Sequence, residues 1–352
     1  MLSKYLNKVL IIFFGLLYSM SLKGQDVQFS QFYAAPLFLN PALTGSTELT
    51  RIGVNYRNQW PGLNHSFNSY SAYIDHFSYD LNSGIGLIVN GNQESLAQLS
   101  TNEIGVLYSY KLKISSEIDW RLGGQASFVS RNAYFGGLLF GSMIDIGSGF
   151  TGTDPTDALS AAGIFATDFQ HRYMSYSFGT LFTSRNMWFG ASAHHVNEPN
   201  VSFVDDGISK LPMRLSLHGG VRLNIGYGNT RDPYTNSYTE RSIGFAFNYK
   251  QQDPFNQLDI GTQLFLDPLV IGVWYRGLPT KYALPNNEAV IAVIGVALGN
   301  GVDIGYSFDF TVSQLNLRNS GGAHEFSMRY TFLWGDPKSR NQRARRIPCF
   351  QY

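Results

Sequence analysis

The chain has almost no cysteine: one residue in 352, Cys349, near its C-terminal end. A single thiol excludes a disulfide framework and any cysteine-based zinc site. No cysteine follows the apolar N-terminal stretch, which excludes a lipid anchor there. Charge is scarce as well. Asp, Glu, Lys and Arg make up 14% of the chain, against ~25% in an ordinary soluble domain. Disorder needs the opposite composition, many charges and few aromatics, whereas Phe, Trp and Tyr reach 15% here. Long apolar runs are missing too. Beyond residue 24 the longest is Ala289–Leu298, about half of what a membrane-spanning helix requires.

Several chemical signatures are also missing. The sequence has no His-Glu-x-x-His zinc spacing, no Gly-x-Ser-x-Gly nucleophile elbow and no Gly-x-x-x-x-Gly-Lys-Ser/Thr phosphate loop. The Asp154-Pro-Thr-Asp157 stretch lacks the acids of an EF-hand loop. Asp205-Asp206 with His195, or Asp154 and Asp157 with His171, can be drawn as rim pairs, but no nucleophile is positioned beside either. The expectation is a protein that is not an enzyme and uses no cofactor or metal. Outside the tail no basic-aromatic face suits nucleic acid.

What is present begins with an address. Residues 1–24 carry Lys4 and Lys8, an apolar core from Val9 to Leu17, and then the small residues Ser19, Ser21 and Gly24. This is the layout of a secretory signal peptide. Cleavage is expected before Gln25, with cleavage after Ser21 as the alternative. Export without a helical span leaves the periplasm, the outer membrane or the exterior.

From about residue 50 the hydropathy alternates with period two. Ile52, Val54 and Tyr56 alternate with Arg51, Asn55 and Arg57, and Phe326, Met328 and Tyr330 with Ser327 and Arg329. Such alternation makes strands with one apolar and one polar face. Fourteen such segments are expected near 51–60, 66–77, 83–92, 98–112, 117–131, 173–184, 186–196, 212–226, 239–250, 257–266, 269–278, 288–298, 301–311 and 323–334. A soluble sandwich would put the apolar faces together. A transmembrane barrel would turn them to lipid and the polar faces to a lumen. Segments of about ten residues suit a tilted crossing. Aromatics at segment ends (Tyr108/Tyr110, Trp188/Phe189, Trp274/Tyr275, Phe332/Trp334) suit interfacial girdles. The connections alternate between short (78–82, 113–116, Arg185, Asp267-Pro268 and Asn300 with its neighbours, 227–238 being the exception) and long (132–172, 197–211, 279–287, 312–322), the outer-membrane pattern with both ends of the barrel in the periplasm. The expected fold is all-β, a transmembrane antiparallel barrel of about 14 strands spanning residues 51–334 in the cell outer membrane.

One strand resists a wet pore. Ala289–Leu298 is apolar on both faces, which suits a lumen partly filled by protein. The pre-barrel segment 25–50, with Phe29, Phe32, Tyr33, Leu37, Phe38 and Leu39, is a candidate filler, as is 132–172. Asn40-Pro41-Ala42 reads as a turn ending that segment. It acts as a plug or rim contact, or as a docking strand for a partner. Arg57 is expected to face the lumen and pair with Glu103, Asp119 or Asp259. Arg121, His195, Arg214, His324 and Glu325 complete the expected set of lumenal or structural polar residues. His195 is expected to bond a loop carbonyl. His194 and His195 should point to opposite faces, and so cannot share an ion.

Residues 335–352 form a basic tail with Lys338, Arg340, Arg343, Arg345 and Arg346 against one acid. Residues 25–334 hold 18 basic and 24 acidic residues, a balance of −6. The tail contacts an acidic partner or polymer in the periplasm, or is simply solvated.

Several blocks in order resemble a known family. They are Gln28-Phe-Ser-Gln31-Phe-Tyr, Asn40-Pro41-Ala42-Leu-Thr-Gly45, Val54-Asn-Tyr-Arg57-Asn-Gln-Trp60-Pro61, Trp188-Phe-Gly-Ala-Ser-Ala-His-His195-Val-Asn-Glu-Pro199, Leu211-Pro212-Met-Arg214, Gly305-Tyr-Ser-Phe-Asp309, and Ala323-His324-Glu325 leading into the last strand. Together with the signal peptide they resemble the PorP/SprF family of the type IX secretion system of Bacteroidetes. Leu43 stands where an aromatic often follows, and the tail reads Pro348-Cys349 in place of Cys before Pro. The resemblance implies an outer-membrane barrel that aids secretion or surface retention of adhesins, including gliding-motility adhesins. The partners it implies are a secreted adhesin's C-terminal domain at the cell surface and a periplasmic lipoprotein or peptidoglycan-linking complex. On this reading Phe29, Gln31, Asn40, Pro41 and Gly45, with the five tail bases, are the partner-binding residues. The N-terminal segment, turn 227–238 and the tail serve periplasmic contact, and 132–172 and 197–211 serve cargo. The rival function is a porin-like diffusion channel for small solutes.

Overall fold

A computed structural model of the chain describes residues 26–63, 66–95, 98–134, 144–145, 149–150, 168–203, 207–231, 238–277, 287–298, 301–313 and 317–334. The signal segment, the basic tail, most of 132–172 and the acids Asp154, Asp157, Asp205 and Asp206 lie outside the described residues.

Fourteen antiparallel strands close into a barrel. They are β1 (Thr50–Gln59), β2 (Phe67–Ser78), β3 (Ser83–Glu94), β4 (Ser100–Lys113), β5 (Asp119–Tyr134), β8 (Asp168–Thr183), β9 (Met187–His194), β10 (Arg214–Arg231), β11 (Tyr238–Gln252), β12 (Phe255–Phe265), β13 (Leu269–Gly277), β14 (Asn287–Ala297), β15 (Val302–Thr311) and β16 (Ala323–Phe332). The two-residue strands β6 (Ile144–Asp145) and β7 (Gly149–Phe150) pair outside the wall. The seam joins the first strand to the last, from Thr50 opposite Phe332 to Gln59 opposite Ala323. Each of the fourteen segments read from period-two alternation is a wall strand. Closure leaves no edge with unpaired backbone groups, which is what a hydrocarbon environment demands.

The alternation also fixes the faces. Ile52, Val54 and Tyr56 stand exposed on the outside of β1, while Arg51, Asn55 and Arg57 are buried inside. The same outside-apolar rule holds for Ile104, Val106 and Tyr108 on β4 and for Phe326, Met328 and Tyr330 on β16. A soluble protein would bury these side chains in its core. Here they form a continuous apolar outer surface, and the core lies in the lumen. Among the described residues no helix is long and apolar enough to cross a membrane.

The ends differ. Five connections at one rim are short: 79–82, 114–118, 184–186, 266–268 and 298–301. The opposite rim carries 135–167, 195–213, 278–286 and 312–322. In outer-membrane barrels the short turns are periplasmic and the long loops extracellular. The two rims are called inner and outer below on that basis.

The aromatic girdle departs from the sequence expectation in part. Tyr108, Tyr110, Phe189 and Trp334 are exposed outside. Trp188 and Trp274 point inward and are almost fully buried. A tryptophan's large apolar area goes wherever partners exist, and here those partners fill the lumen.

Candidate functional site

The lumen is occupied by the chain's own residues 26–49. Phe29 to Leu37 and Leu39 to Gly45 are all buried. The segment forms one helical turn, Pro36–Leu39, with proline at its start, where the missing N–H costs nothing. Asn40 stops that turn and opens a 3-10 turn, Pro41–Leu43. Its Oδ1 accepts from the Ala42 N–H at 2.8 Å, as a capping residue should. Its Nδ2 donates into the wall, to the carbonyls of Thr180 (3.0 Å) and Ala191 (3.2 Å), and lies 3.1 Å from His218 Nε2.

The wall is carved to receive this turn. A Cβ on Gly179 would lie 1.8 Å from Asn40 Oδ1, and one on Gly123 would lie 2.3 Å from the Ala42 nitrogen. Only glycine lets the two backbones approach that closely. Gly45 itself takes a φ of +65°, a left-handed conformation that glycine, lacking a Cβ, adopts without the penalty other residues bear.

Apolar contacts follow the same logic. Phe32 packs edge-on against Trp274 with ring centroids 5.1 Å apart, and Tyr33 stacks on the same ring at 5.8 Å. Ala289, Ile291 and Val293 on β14 complete the cluster. Across the lumen Leu37 meets Tyr73, Ile88 and Leu107. The apolar inward face of β14 is therefore the seat of the plug, and the lumenal apolar residues on β2, β3 and β4 are its counterpart.

Charged wall residues hold the rest. Toward the outer rim, Arg276 Nε meets Asp259 Oδ1 at 2.9 Å and its Nη1 meets Asp309 Oδ2 at 3.2 Å. Arg57 Nη2 lies 2.9 Å from the same Asp309 oxygen, and its Nη1 lies 3.4 Å from Glu325 Oε2. The Glu325 carboxylate accepts the backbone N–H groups of Ser30 (2.6 Å) and Gln31 (3.0 Å). Arg276 donates to the Phe29 carbonyl. Toward the inner rim, Asp75 binds Arg51 through both oxygens (2.9 and 2.8 Å) and accepts the Gly45 N–H at 2.6 Å. Arg51 donates to the Leu43 carbonyl. Glu48 meets Lys111 at 2.5 Å and Arg121 at 3.2 Å. Buried ions are costly unless paired and hydrogen-bonded. Here the plug's backbone supplies further bonds, to Glu325 and Asp75 and from Arg51 and Arg276.

The outer end of the plug floors a vestibule of about 460 Å³, lined by Asp26, Phe29 and Phe38 from the segment and by Glu103, Arg131, Tyr173 and Arg214 among the wall residues. Asp26 is clamped there by Arg214 Nη1 at 3.0 Å and His195 Nε2 at 2.8 Å, and its N–H donates to Gln252 Oε1 at 3.0 Å. Burial pushes the Asp26 carboxyl up, but the charges of His195 and Arg214 outweigh it and hold the group below its ordinary range.

Several expected sites are corrected by this arrangement. Phe29, Gln31, Asn40, Pro41 and Gly45 are buried in the lumen against the wall. The start of the pre-barrel segment lies at the outer end, where Asp26 meets Arg214 and Gln252. Arg57 pairs with Asp309 and Glu325 instead of Glu103, Asp119 or Asp259, since the closed seam brings β16 and β15 beside β1. His195 bonds Ser175 Oγ and Asp26 in place of a loop carbonyl. Its φ of +57° turns it back over the lumen, so it lines the vestibule together with His194. His324 is not lumenal. It stands on the outer surface near the outer rim, 2.9 Å from Tyr306 Oη. Arg121, Arg214 and Glu325 are lumenal and buried. The five tail bases lie outside the described residues. Asp26, Asp75, Arg276 and Asp309 carried no pairing signal in the sequence, because each finds its partner on another element of the fold.

Among the described residues no group of three His, Cys, Asp or Glu side chains could hold a metal. A closed wall, an apolar exterior and a self-supplied plug define an outer-membrane β-barrel with an occupied lumen. The family model of the type IX secretion system membrane protein PorP/SprF matches residues 21–330, and the chain belongs to that family. No curated protein matches the sequence. Solved structures of similar shape include the outer membrane protein Omp33 of Acinetobacter baumannii, at 10% identity over 81% of this chain and 98% of that one (TM-score 0.41). A FadL homologue of Pseudomonas aeruginosa is 12% identical over 84% and 93% (TM-score 0.44). The Pseudomonas putida toluene transporter TodX is 9% identical over 88% and 94% (TM-score 0.42). Family and fold make the protein an outer-membrane component of type IX secretion, a secretion or transport part.

Proposed function

We propose that this barrel works by protein–protein contact: it aids secretion or surface retention of an adhesin-type cargo outside and couples to secretion and gliding components inside. The observation that carries this reading is the filled lumen. A diffusion channel needs a hydrated path lined by charge. Here the charges around the plug pair with one another or bond to its backbone. Cargo contact falls to the outer segments 132–172 and 197–211. Periplasmic contact falls to the tail, which leaves the wall at the inner rim where Phe332 pairs with Thr50. Its five bases suit an acidic lipoprotein or peptidoglycan-linking surface.

Purification from the native envelope with identification of every bound chain tests the proposal. The expected result is co-purification of a secreted adhesin and of a periplasmic lipoprotein complex. Replacing Lys338, Arg340, Arg343, Arg345 and Arg346 by glutamine should release the periplasmic partner and leave the adhesin bound. Recovery of the barrel alone under conditions that preserve other envelope complexes would overturn the reading.

A further inference from the structure

The direction of the plug has a consequence for topology. Contacts along it can be ordered by depth using the wall registers. Glu48 binds Arg121 and Lys111, which face each other at the inner end of β4 and β5. Asn40 binds Thr180 and Ala191, in the middle of the β8–β9 ladder. Ser30 and Gln31 bind Glu325, opposite Arg57 near the outer end of β1. Asp26 binds Arg214, the first residue of β10, and Gln252, the last of β11, both at the outer rim. The segment thus runs the length of the lumen, with its later residues inside and its earliest outside.

We infer that the mature amino terminus is presented at the extracellular mouth of the barrel, where the Asp26 clamp fixes it in the vestibule floor. Successive Cα atoms are 3.8 Å apart. Cleavage before Gln25 therefore leaves the new amino group within a residue of the clamp. The closed wall prevents the end from turning back to the periplasm without withdrawing the whole plug. The amino end is then part of the surface that an extracellular protein partner meets; this last step rests on the proposed function, whereas the topology does not.

Epitope accessibility on cells tests it. One tag is placed between the cleavage site and Gln25, a second at Ile208 in an outer loop, and a third at Ser115 in the 114–118 turn. Each is probed with antibody on intact and on permeabilised cells. The amino-terminal and Ile208 tags should be labelled on intact cells, and the Ser115 tag only after permeabilisation. An amino-terminal tag that stays hidden until permeabilisation, in cells whose Ile208 tag is labelled, overturns the inference while leaving the barrel's orientation intact. Labelling of Ser115 but not Ile208 on intact cells overturns the orientation and the inference with it. Because a tag could hinder folding, Val27→Cys in a Cys349→Ser chain provides a second route. A membrane-impermeant maleimide added outside should modify Val27→Cys as fully on intact cells as on permeabilised ones, and modification only after permeabilisation of a folded, heat-modifiable barrel also counts against it.

Discussion

Replacing Asn40 with alanine should loosen the plug and leave the wall closed. The side chain makes one bond within the plug, from the Ala42 N–H at 2.8 Å, and reaches the wall at the Thr180 and Ala191 carbonyls and at His218 Nε2. Those carbonyls belong to strands paired along their own ladder, so the wall does not depend on Asn40. A buried hydrogen bond contributes roughly 1 kcal/mol net, and a buried donor left without a partner costs about 1–3 kcal/mol. Loss of three such bonds sets the scale for Asn40→Ala at about 3 kcal/mol, which at about 1.4 kcal/mol per decade raises the population of the opened plug by roughly 10²-fold. Amide hydrogen exchange in detergent micelles reads this directly, because protected amides exchange through local opening. The N–H groups of Leu43 and Thr44, bonded to the carbonyls of Asn40 and Pro41, should exchange about 10²-fold faster, while β4 amides keep the wild-type rate. Gly179→Ala should give the same pattern from the wall side, since its Cβ would meet Asn40 Oδ1 at 1.8 Å. Unchanged exchange at Leu43 and Thr44 would refute the seating of the plug. Equal loosening of β4 would show that plug and wall are not separable units.

Other outcomes follow from the same packing. Asp75→Ala strands the fully buried Arg51 guanidinium and should cost about 3–5 kcal/mol. Adding Arg51→Met should recover part of that loss in urea titrations in micelles, and strict additivity of the two changes would contradict a coupled pair. Val106, exposed on the outer face midway along β4, should not tolerate arginine. Equilibrium unfolding in bilayers should show a loss of about 2–4 kcal/mol, whereas an ordinary water-facing site would change by less than about 0.5 kcal/mol. The Asp26 clamp has a definite pH dependence. The carboxyl is held below its ordinary value in the folded chain, so its contribution is complete above that ordinary value and is lost as pH falls below it. Asp26→Asn should weaken protection of residues 27–30 at neutral pH and flatten its decline in acid, and an unchanged acid profile would count against the clamp.

The wall was legible in the sequence because its cause is local. A strand between lipid and lumen must alternate, and Ile52 to Tyr56 or Phe326 to Tyr330 report that without help from distant residues. The need for a filled lumen was legible at Ala289–Leu298, where the alternation fails. Pairings between distant strands were not. Arg57 finds Asp309 and Glu325 only because the barrel closes at β1 and β16, a fact of register that no neighbouring residue encodes. Trp188 and Trp274 read equally well as girdle or core, since an indole at a strand end suits both. His195 escaped strand alternation through a left-handed turn beyond the last residue of β9. The direction of the plug was hidden for a similar reason: its contacts with wall strands are separated from it by up to nearly 300 residues in sequence, and only the assembled lumen orders them by depth.

Planar-bilayer conductance addresses the central claim most directly, that the chain's own residues 26–49 close the lumen of a membrane-spanning barrel. The full-length mature chain should insert without steady ohmic current, and a chain lacking residues 26–45 should insert and conduct continuously. Steady conduction by the full-length protein, equal to that of the shortened one, would contradict the account.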